Sequence, residues 1–264
     1  MIFPNLESKC LYYRGLTDYR LMPNGYILVM IDGKNFSTLI KNKFERPFDG
    51  WFIETMNLTA IHLCKKIQNV VGAYVQSDEI SLVIKDNTLT SMPFDGRLCK
   101  LLSIIPSIAT AYFNKLMIGR IIKNNPERFT CEIQDMPDYV FDCKVWSVPN
   151  ANDAMAWFLY RQIDCIKNSK NQFCQTYLSY KKLLNLDSDA QVQLCIDETG
   201  KNWNDITDDK KYGRILHQKE VELVTEKGVP YTRKRWHIVS KQLTDIEFRN
   251  ELNQIWFADN VKKC

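Results

Sequence analysis

The sequence of 264 residues lacks the patterns of a disulfide-stapled or zinc-binding protein. Its nine cysteines are scattered and odd in number, no two form a Cys-x-x-Cys motif, and its three histidines do not pair with cysteine at zinc-finger spacing. Such cysteine usage is typical of a reducing compartment, where thiols stay free and are mostly buried. We therefore expect a protein of the cytoplasm or the mitochondrial matrix.

Long apolar runs, repeats and low-complexity tracts are also missing. The first residues, "MIFPNLESKCLYYRG", have no apolar run of the kind that a secretory signal contains. We expect that no segment is long and apolar enough to span a membrane, and hence no membrane partner. The formal net charge of +4 excludes a strongly basic or acidic class. The basic segment 227–241 is either a solvated face or a surface that meets phosphate.

What the sequence does contain is a regular alternation of apolar segments, with 45% hydrophobic residues. The pattern predicts a strand, a helix, two strands, a helix and a strand, and Pro106 should kink or split the second helix. This order is that of a ferredoxin-like βαββαβ core, an α+β fold. A helix from about residue 151 and a hairpin around Gly228 should follow. The sequence predicts these six segments in the following ranges: 25–32, 46–70, 70–75, 80–84, 95–118 and 139–149.

We expect a catalytic core with an N-terminal extension at 1–150. The helical and hairpin region, 151–264, should pack on it as part of one continuous domain.

An acidic pair interrupts the two middle strands. In "AYVQSDEISLVI", Asp78 and Glu79 stand at the predicted hairpin turn, and Asp32 ends the first strand. In the ferredoxin-like order these strands are neighbours, so Asp32 and Asp78 can lie side by side. Two such carboxylates can hold Mg²⁺, to which the backbone carbonyl of Gly33 could also bind. The alternative is a pair of ordinary turn or capping aspartates.

Several separated motifs resemble the tRNA(His) guanylyltransferase superfamily over roughly residues 10 to 240. They are "MIDGKNFSTLIKNKFERPFD", "AYVQSDEISLVI", "FDCKVWSVPN", "FLYRQIDCIKNSKNQ" and "NWNDI" followed by "KKYGR". The resemblance implies a domain like the palm of DNA polymerases, with two Mg²⁺ ions, and a homotetramer. It also implies nucleotide addition in the 3′-to-5′ direction to the 5′ end of tRNA, with ATP or GTP activating the 5′ phosphate.

One segment points to a particular branch of this superfamily. The histidine-tRNA enzymes have His-Ile-Asn-Asn-Leu-Tyr-Asn where this chain has "IKNSKNQ" at 166–172, so Ile166 stands at the histidine position. The pattern is instead similar to guanylyltransferase-like proteins, which implies templated repair of 5′-truncated tRNAs. Addition of an extra 5′ G to tRNA(His) is the alternative.

The resemblance implies the following site residues. The catalytic residues would be Asp32, Asp78 and Glu79, and the metal ligands would be Asp32, Gly33 and Asp78. The nucleotide-binding residues would be Gly33, Lys34, Asn35, Phe36, Arg46, Ser77, Arg97, Lys100 and Asn168. Trp203, Asn204, Asp205 and Asp142 receive no role.

Two other functions remain open from the sequence. One is a cyclic-dinucleotide cyclase, although Gln76-Ser77 replaces the Gly-Gly that precedes its acids. The other is a tRNA-binding protein without activity.

Overall fold

The computed structural model describes residues 2–36, 38, 44–86, 92–124, 134, 136–226 and 228–258. Its centre is a six-stranded sheet in which neighbouring strands are antiparallel, in the order β4-β1-β3-β2-β5-β6. The strands are β1 Tyr26–Gly33, β2 Val70–Gln76, β3 Glu79–Lys85, β4 Phe141–Val148, β5 Arg214–Val224 and β6 Pro230–Val239. The order of the first four is the ferredoxin-like one, so the predicted α+β, palm-like core with its hairpin is confirmed.

Helices cover both faces of this sheet. They are α1 Leu6–Gly15, α2 Gly50–Lys66, α3 Leu98–Asn124, α4 Ala151–Tyr177, α5 Tyr180–Leu183, α6 Ser188–Thr199, α7 Asp208–Tyr212 and α8 Ile246–Phe257, with 3₁₀ turns at Pro93–Gly96 and Trp203–Asp205. The Asp49 side chain accepts a hydrogen bond from the Phe52 amide and caps α2. For this reason α2 begins at residue 50 and not at 46.

Helix α3 bears on two expectations. It runs through Pro106 as one helix, so proline does not split it, and packing on the sheet offsets the hydrogen bond that proline removes; a kink at Pro106 stays a prediction. The stretch Leu98–Arg120 is also long and apolar enough, by length and composition alone, to cross a membrane, so the expectation that no segment is so long was wrong. One face of this helix is nevertheless fully buried in the protein core, at Leu101, Ile105 and Phe113.

Alternation along β1 divides the core into two layers. Ile27, Val29 and Ile31 pack with α2 and α3, whereas Leu28 packs with α4 and α8. Asp32 has the parity of Leu28, and this places it on the α4 face of the sheet. The domain boundary at residue 150 stays a prediction, although β5 and β6 complete the same sheet as β1–β4.

Buried polar contacts fix the part of α4 between Gln162 and Ser169. The buried Gln162 amide donates to the carbonyls of Tyr212 and Lys241, and its oxygen accepts from the Leu243 amide. The Trp203 indole donates to the Ser169 hydroxyl at 2.9 Å. Trp203, which received no role from the sequence, therefore packs against α4.

Candidate active site

A cavity of about 580 Å³ lies beyond the ends of β1, β2 and β3. Its volume is within the usual range of small-molecule sites. One wall comes from residues 45–49 and the start of α2, and the other comes from α4 and α7. Six of the predicted site residues border this cavity: Asp32, Arg46, Ser77, Asp78, Glu79 and Asn168.

Strand pairing brings the acids together at this edge of the sheet. Asp32 on β1 stands opposite Glu79 on β3 and opposite Asp142 on β4. The Gly33 amide donates a hydrogen bond to the Asp78 carbonyl at 3.2 Å. Ser77 and Asp78 form the two-residue loop, and Ser77 has the positive φ that such a hairpin turn uses. Asp32 and Asp78 are thus neighbours, as the strand order predicted.

The environment of these two carboxylates opposes their ionisation. Burial, followed by the charges of Asp78, Glu79 and Asp142, raises the pKa of Asp32 to about 6. Burial is also the main cause that raises the pKa of Asp78, and the Ser77 hydroxyl partly opposes it. Within the described residues, no lysine or arginine forms an ion pair with either carboxylate. A bound cation would relieve this repulsion.

Glu79 differs from the two aspartates because it has a cationic partner. The Arg161 guanidinium donates to both of its carboxylate oxygens, from Nε to Oε1 at 2.8 Å and from Nη2 to Oε2. Gln76 and Ser81 donate to the same carboxylate. Both partners of this ion pair are nearly buried, and Arg161 also pairs with Asp164 at 3.2 Å. The catalytic assignment of Glu79 stays a prediction, but its carboxylate oxygens already accept hydrogen bonds from Arg161, Gln76 and Ser81.

The predicted site residues that follow Asp32, at 33–36, do not border the cavity. A Cβ on Gly33 would lie 2.5 Å from the Phe36 ring, so the chain needs glycine there. The Phe36 ring is fully buried among aromatic rings, which leaves only its backbone for a nucleotide. Lys34 and Asn35 are exposed, and the Lys34 amide donates to the Val140 carbonyl.

Arg97 and Lys100 lie at the opposite end of the sheet from the acids. The Leu98 amide, at the start of α3, donates a hydrogen bond to the Tyr19 carbonyl. The backbone of Arg97 forms an isolated antiparallel β-bridge with that of Arg20, which precedes β1. Asp32 is at the far end of β1, and the rise of a strand separates it from the start of β1 at Tyr26 by roughly 20 Å. The structure therefore does not bring these two predicted nucleotide-binding residues to the cavity of the same chain.

Three cationic residues of the cavity received no role from the sequence: Arg161, Lys210 and Arg214. Arg161 stands at the helical spacing of the buried residues Phe158 and Cys165. A charge at such a position predicts a buried ion pair, and this signal could have identified it. No periodicity in the sequence identifies Lys210 and Arg214, because it is the turn at Gly213 that brings them to the cavity.

The donor set at this edge fits Mg²⁺. It consists of two neighbouring carboxylates near the backbone of Gly33, and among the described residues neither carboxylate pairs with a lysine or arginine. No cluster of three or more His, Cys, Asp or Glu side chains with metal-binding geometry occurs in the part of the chain that the structure describes. Magnesium sites typically have one or two carboxylates completed by phosphates and water, and Asp32 and Asp78 provide such a pair.

Known proteins resemble this chain in sequence. A family model described as tRNAHis guanylyltransferase matches residues 11–149, more than half of the chain. The tRNA(His) guanylyltransferase 1 of Arabidopsis thaliana is 27% identical over an alignment of 263 residues, which covers 94% of this chain but only 44% of that protein.

Two solved structures cover nearly the whole chain. A bacterial tRNA(His) guanylyltransferase-like protein in complex with ATP has a TM-score of 0.79 at 25% identity, covering 96% of this chain and 99% of its own. A structure of the same description in complex with GTP has a TM-score of 0.74, at the same identity and coverage.

Replacing Asp32 by asparagine should stabilise the protein when divalent cations are absent. The Asp32 pKa rises from 3.8 to about 6 on folding, so folding becomes less favourable between about pH 4 and pH 6, and the loss is complete above this interval. Urea unfolding in EDTA should show Asp32→Asn to be about 1–3 kcal/mol more stable at pH 8, with a smaller difference near pH 4. A variant less stable than the wild type at pH 8 would contradict this electrostatic account.

The Arg161–Glu79 pair should behave as one unit. Arg161→Met and Glu79→Gln each leave a buried group without its partner, so each should cost about 3 kcal/mol of unfolding free energy. The double variant should cost clearly less than the sum of the single variants, as expected for residues in contact. Urea unfolding of all four proteins measures this coupling, and additive costs would show that the pair does not hold the hairpin to α4.

Proposed function

Because the chain belongs to the tRNA(His) guanylyltransferase family, whose members are nucleotidyltransferases, we propose that it adds nucleotides to the 5′ end of truncated tRNAs in a template-dependent, 3′-to-5′ direction. The observation that carries this proposal is the pair of neighbouring carboxylates, Asp32 and Asp78, at the wall of a nucleotide-sized cavity, where no described lysine or arginine pairs with them. The similar structures in complex with ATP and GTP support a nucleotide in this cavity.

In this proposal Asp32 and Asp78 hold Mg²⁺, with the Gly33 carbonyl as a further ligand. When bound, Mg²⁺ neutralises phosphate charge that develops during phosphoryl transfer. Arg161 keeps Glu79 neutralised, so the charge left for the cation is that of the two aspartates. Arg46 and Lys210 border the same cavity and can contact phosphate.

The reaction proposed has two stages. The 5′ monophosphate of the tRNA attacks the α-phosphorus of ATP or GTP, which forms a nucleotidyl-activated end and releases pyrophosphate. The 3′-hydroxyl of an incoming NTP then attacks the activated 5′ phosphorus, and the nucleoside monophosphate leaves. A tRNA with a 5′ triphosphate omits the first stage and releases pyrophosphate in the second. The protein contributes alignment of the two reacting groups, on which the rate depends strongly.

The segment 166–172 supports templated addition. It lies on α4, its Asn168 borders the cavity, and its Asn168 amide donates to Asp164 at 3.1 Å. The segment lacks the histidine that accompanies G addition in the histidine-tRNA branch. The second candidate function is addition of the extra 5′ G to tRNA(His), which the name of the Arabidopsis relative, tRNA(His) guanylyltransferase 1, favours.

Single-nucleotide addition to truncated tRNA transcripts separates the two candidates. The transcripts lack the first nucleotide and differ only in the acceptor-stem base opposite the gap. The proposal predicts C opposite G, A opposite U and G opposite C, because a matched pair aligns the 3′-hydroxyl, and a misplacement of ~1 Å can cost about a hundredfold in rate. Addition of G whatever the opposing base would assign the protein to the histidine-tRNA function.

Two controls complete this experiment. Asp78→Asn should abolish addition on every transcript, which ties the products to the acidic site and excludes a contaminating polymerase. GTP alone should give no cyclic dinucleotide. If neither G nor templated addition occurs although tRNA binds, the protein is a tRNA-binding protein without this activity.

A further inference from the structure

Arg214 is a buried cation at the wall of the cavity and is absent from the predicted site. It is the first residue of β5, it is 4% exposed, and it pairs in register with Val75 of β2. Val75 lies two residues before the loop that carries Asp78. The side chain of Arg214 therefore belongs to the sheet edge at which the two aspartates meet.

The hydrogen bonds of Arg214 leave its guanidinium largely unsatisfied. Its Nε donates to the Asn57 side-chain oxygen at 3.0 Å, and its Nη1 is 3.5 Å from the Asp209 carbonyl, the outer limit of a hydrogen bond. The buried Nη2 has no partner. Arginine carries five N–H donors, so at most two of them are used. Both partners are neutral, and no carboxylate forms an ion pair with Arg214 in the described ranges.

The backbone around Arg214 is held firmly. Gly213 has a φ of 71°, and a Cβ there would lie 2.5 Å from the Tyr74 hydroxyl. That hydroxyl donates to the Tyr212 carbonyl at 2.9 Å, and the Gln162 amide donates to the same carbonyl. The position of the guanidinium is therefore set by the fold before any ligand binds, which lowers the cost of binding.

A buried arginine without an anion is costly, because buried charges are normally paired. The same cavity contains Asp32 and Asp78, which form no ion pair with any lysine or arginine that the structure describes. Arg161 does not neutralise Asp32 or Asp78, because it already forms ion pairs with Glu79 and Asp164. One ligand satisfies all of these groups at once: a nucleoside triphosphate that brings Mg²⁺ to the aspartates and phosphate oxygens to the arginine.

We propose that Arg214 binds the triphosphate of the nucleotide in this cavity. The inference deepens the proposed function by naming a phosphate contact of the same site, and it rests on a nucleotide binding there. It also gives the cavity a phosphate-binding cation within one chain, whereas Arg97 and Lys100 lie at the other end of the sheet.

The competing explanation is that Arg214 only joins β5 to α2 through Asn57. The two explanations differ in what removal of the charge does to the free protein. A structural clamp would make Arg214→Met unstable. If Arg214 is a binding residue, its buried charge is stabilised only when phosphate is bound. Arg214→Met without ligand would then be at least as stable as the wild type without ligand.

Calorimetric titration without tRNA tests the proposal, using ATP, GTP, inorganic tripolyphosphate and guanosine in the presence of Mg²⁺. Arg214→Gln and Arg214→Met should weaken binding of both nucleotides and of tripolyphosphate about 10- to 100-fold, as expected for a charged hydrogen-bond pair. Guanosine affinity should not change. Arg214→Lys keeps the charge but loses the planar fork, so its affinity should be intermediate. Thermal unfolding of the free variants should show no loss of stability.

Controls separate this inference from the proposed function. Arg233→Gln makes the same charge change on the exposed part of β6 and should leave nucleotide affinity unchanged. Asn57→Ala removes the neutral partner and should change nucleotide affinity less than threefold. If Arg214→Gln and Arg214→Lys bind nucleotides as the wild type does, Arg214 is a structural clamp and the inference is wrong. If the wild type binds no nucleotide, the proposed function fails with it.

Discussion

The site depends on one electrostatic constraint, the enforced proximity of two carboxylates. Pairing of β1 with β3 is required by the buried alternation of the central strands, and it places Asp32 beside the turn that carries Asp78. The core thus fixes the positions of the acids, although burial and mutual repulsion oppose their ionisation. The fold supplies the stability that this strained arrangement costs, which is common at functional sites.

The surrounding residues determine how much negative charge the site presents. Arg161 neutralises Glu79 through two hydrogen bonds and ties the hairpin to α4. Two anions therefore remain for a cation, and Arg214 remains as a buried cation for an anion. The cavity is divided into an acidic and a basic part, and a magnesium nucleotide has the same division of charge.

The sequence was sufficient for the strand order and for the positions of the acids, because both follow from local alternation and from the ends of strands. It was insufficient where distant segments meet. Arg97 and Lys100 were predicted at the nucleotide, but α3 begins at the other end of the sheet. Phe36 follows the aspartate in sequence, yet its ring packs into the core. Lys210 and Arg214 reach the cavity through the turn at Gly213, which no periodicity reveals.

Direct measurement of divalent-cation binding tests the central claim. Mn²⁺ can be titrated by electron paramagnetic resonance in the presence of a nonhydrolysable GTP analogue, with wild type, Asp32→Asn, Asp78→Asn and Asp142→Asn. Asp142 faces Asp32 but is exposed and does not border the cavity, so it is the matched control. The account predicts that loss of either Asp32 or Asp78 weakens Mn²⁺ binding at least about tenfold, or 1.4 kcal/mol, whereas Asp142→Asn changes it little. Equal Mn²⁺ affinity in the wild type and in both cavity variants would contradict the account.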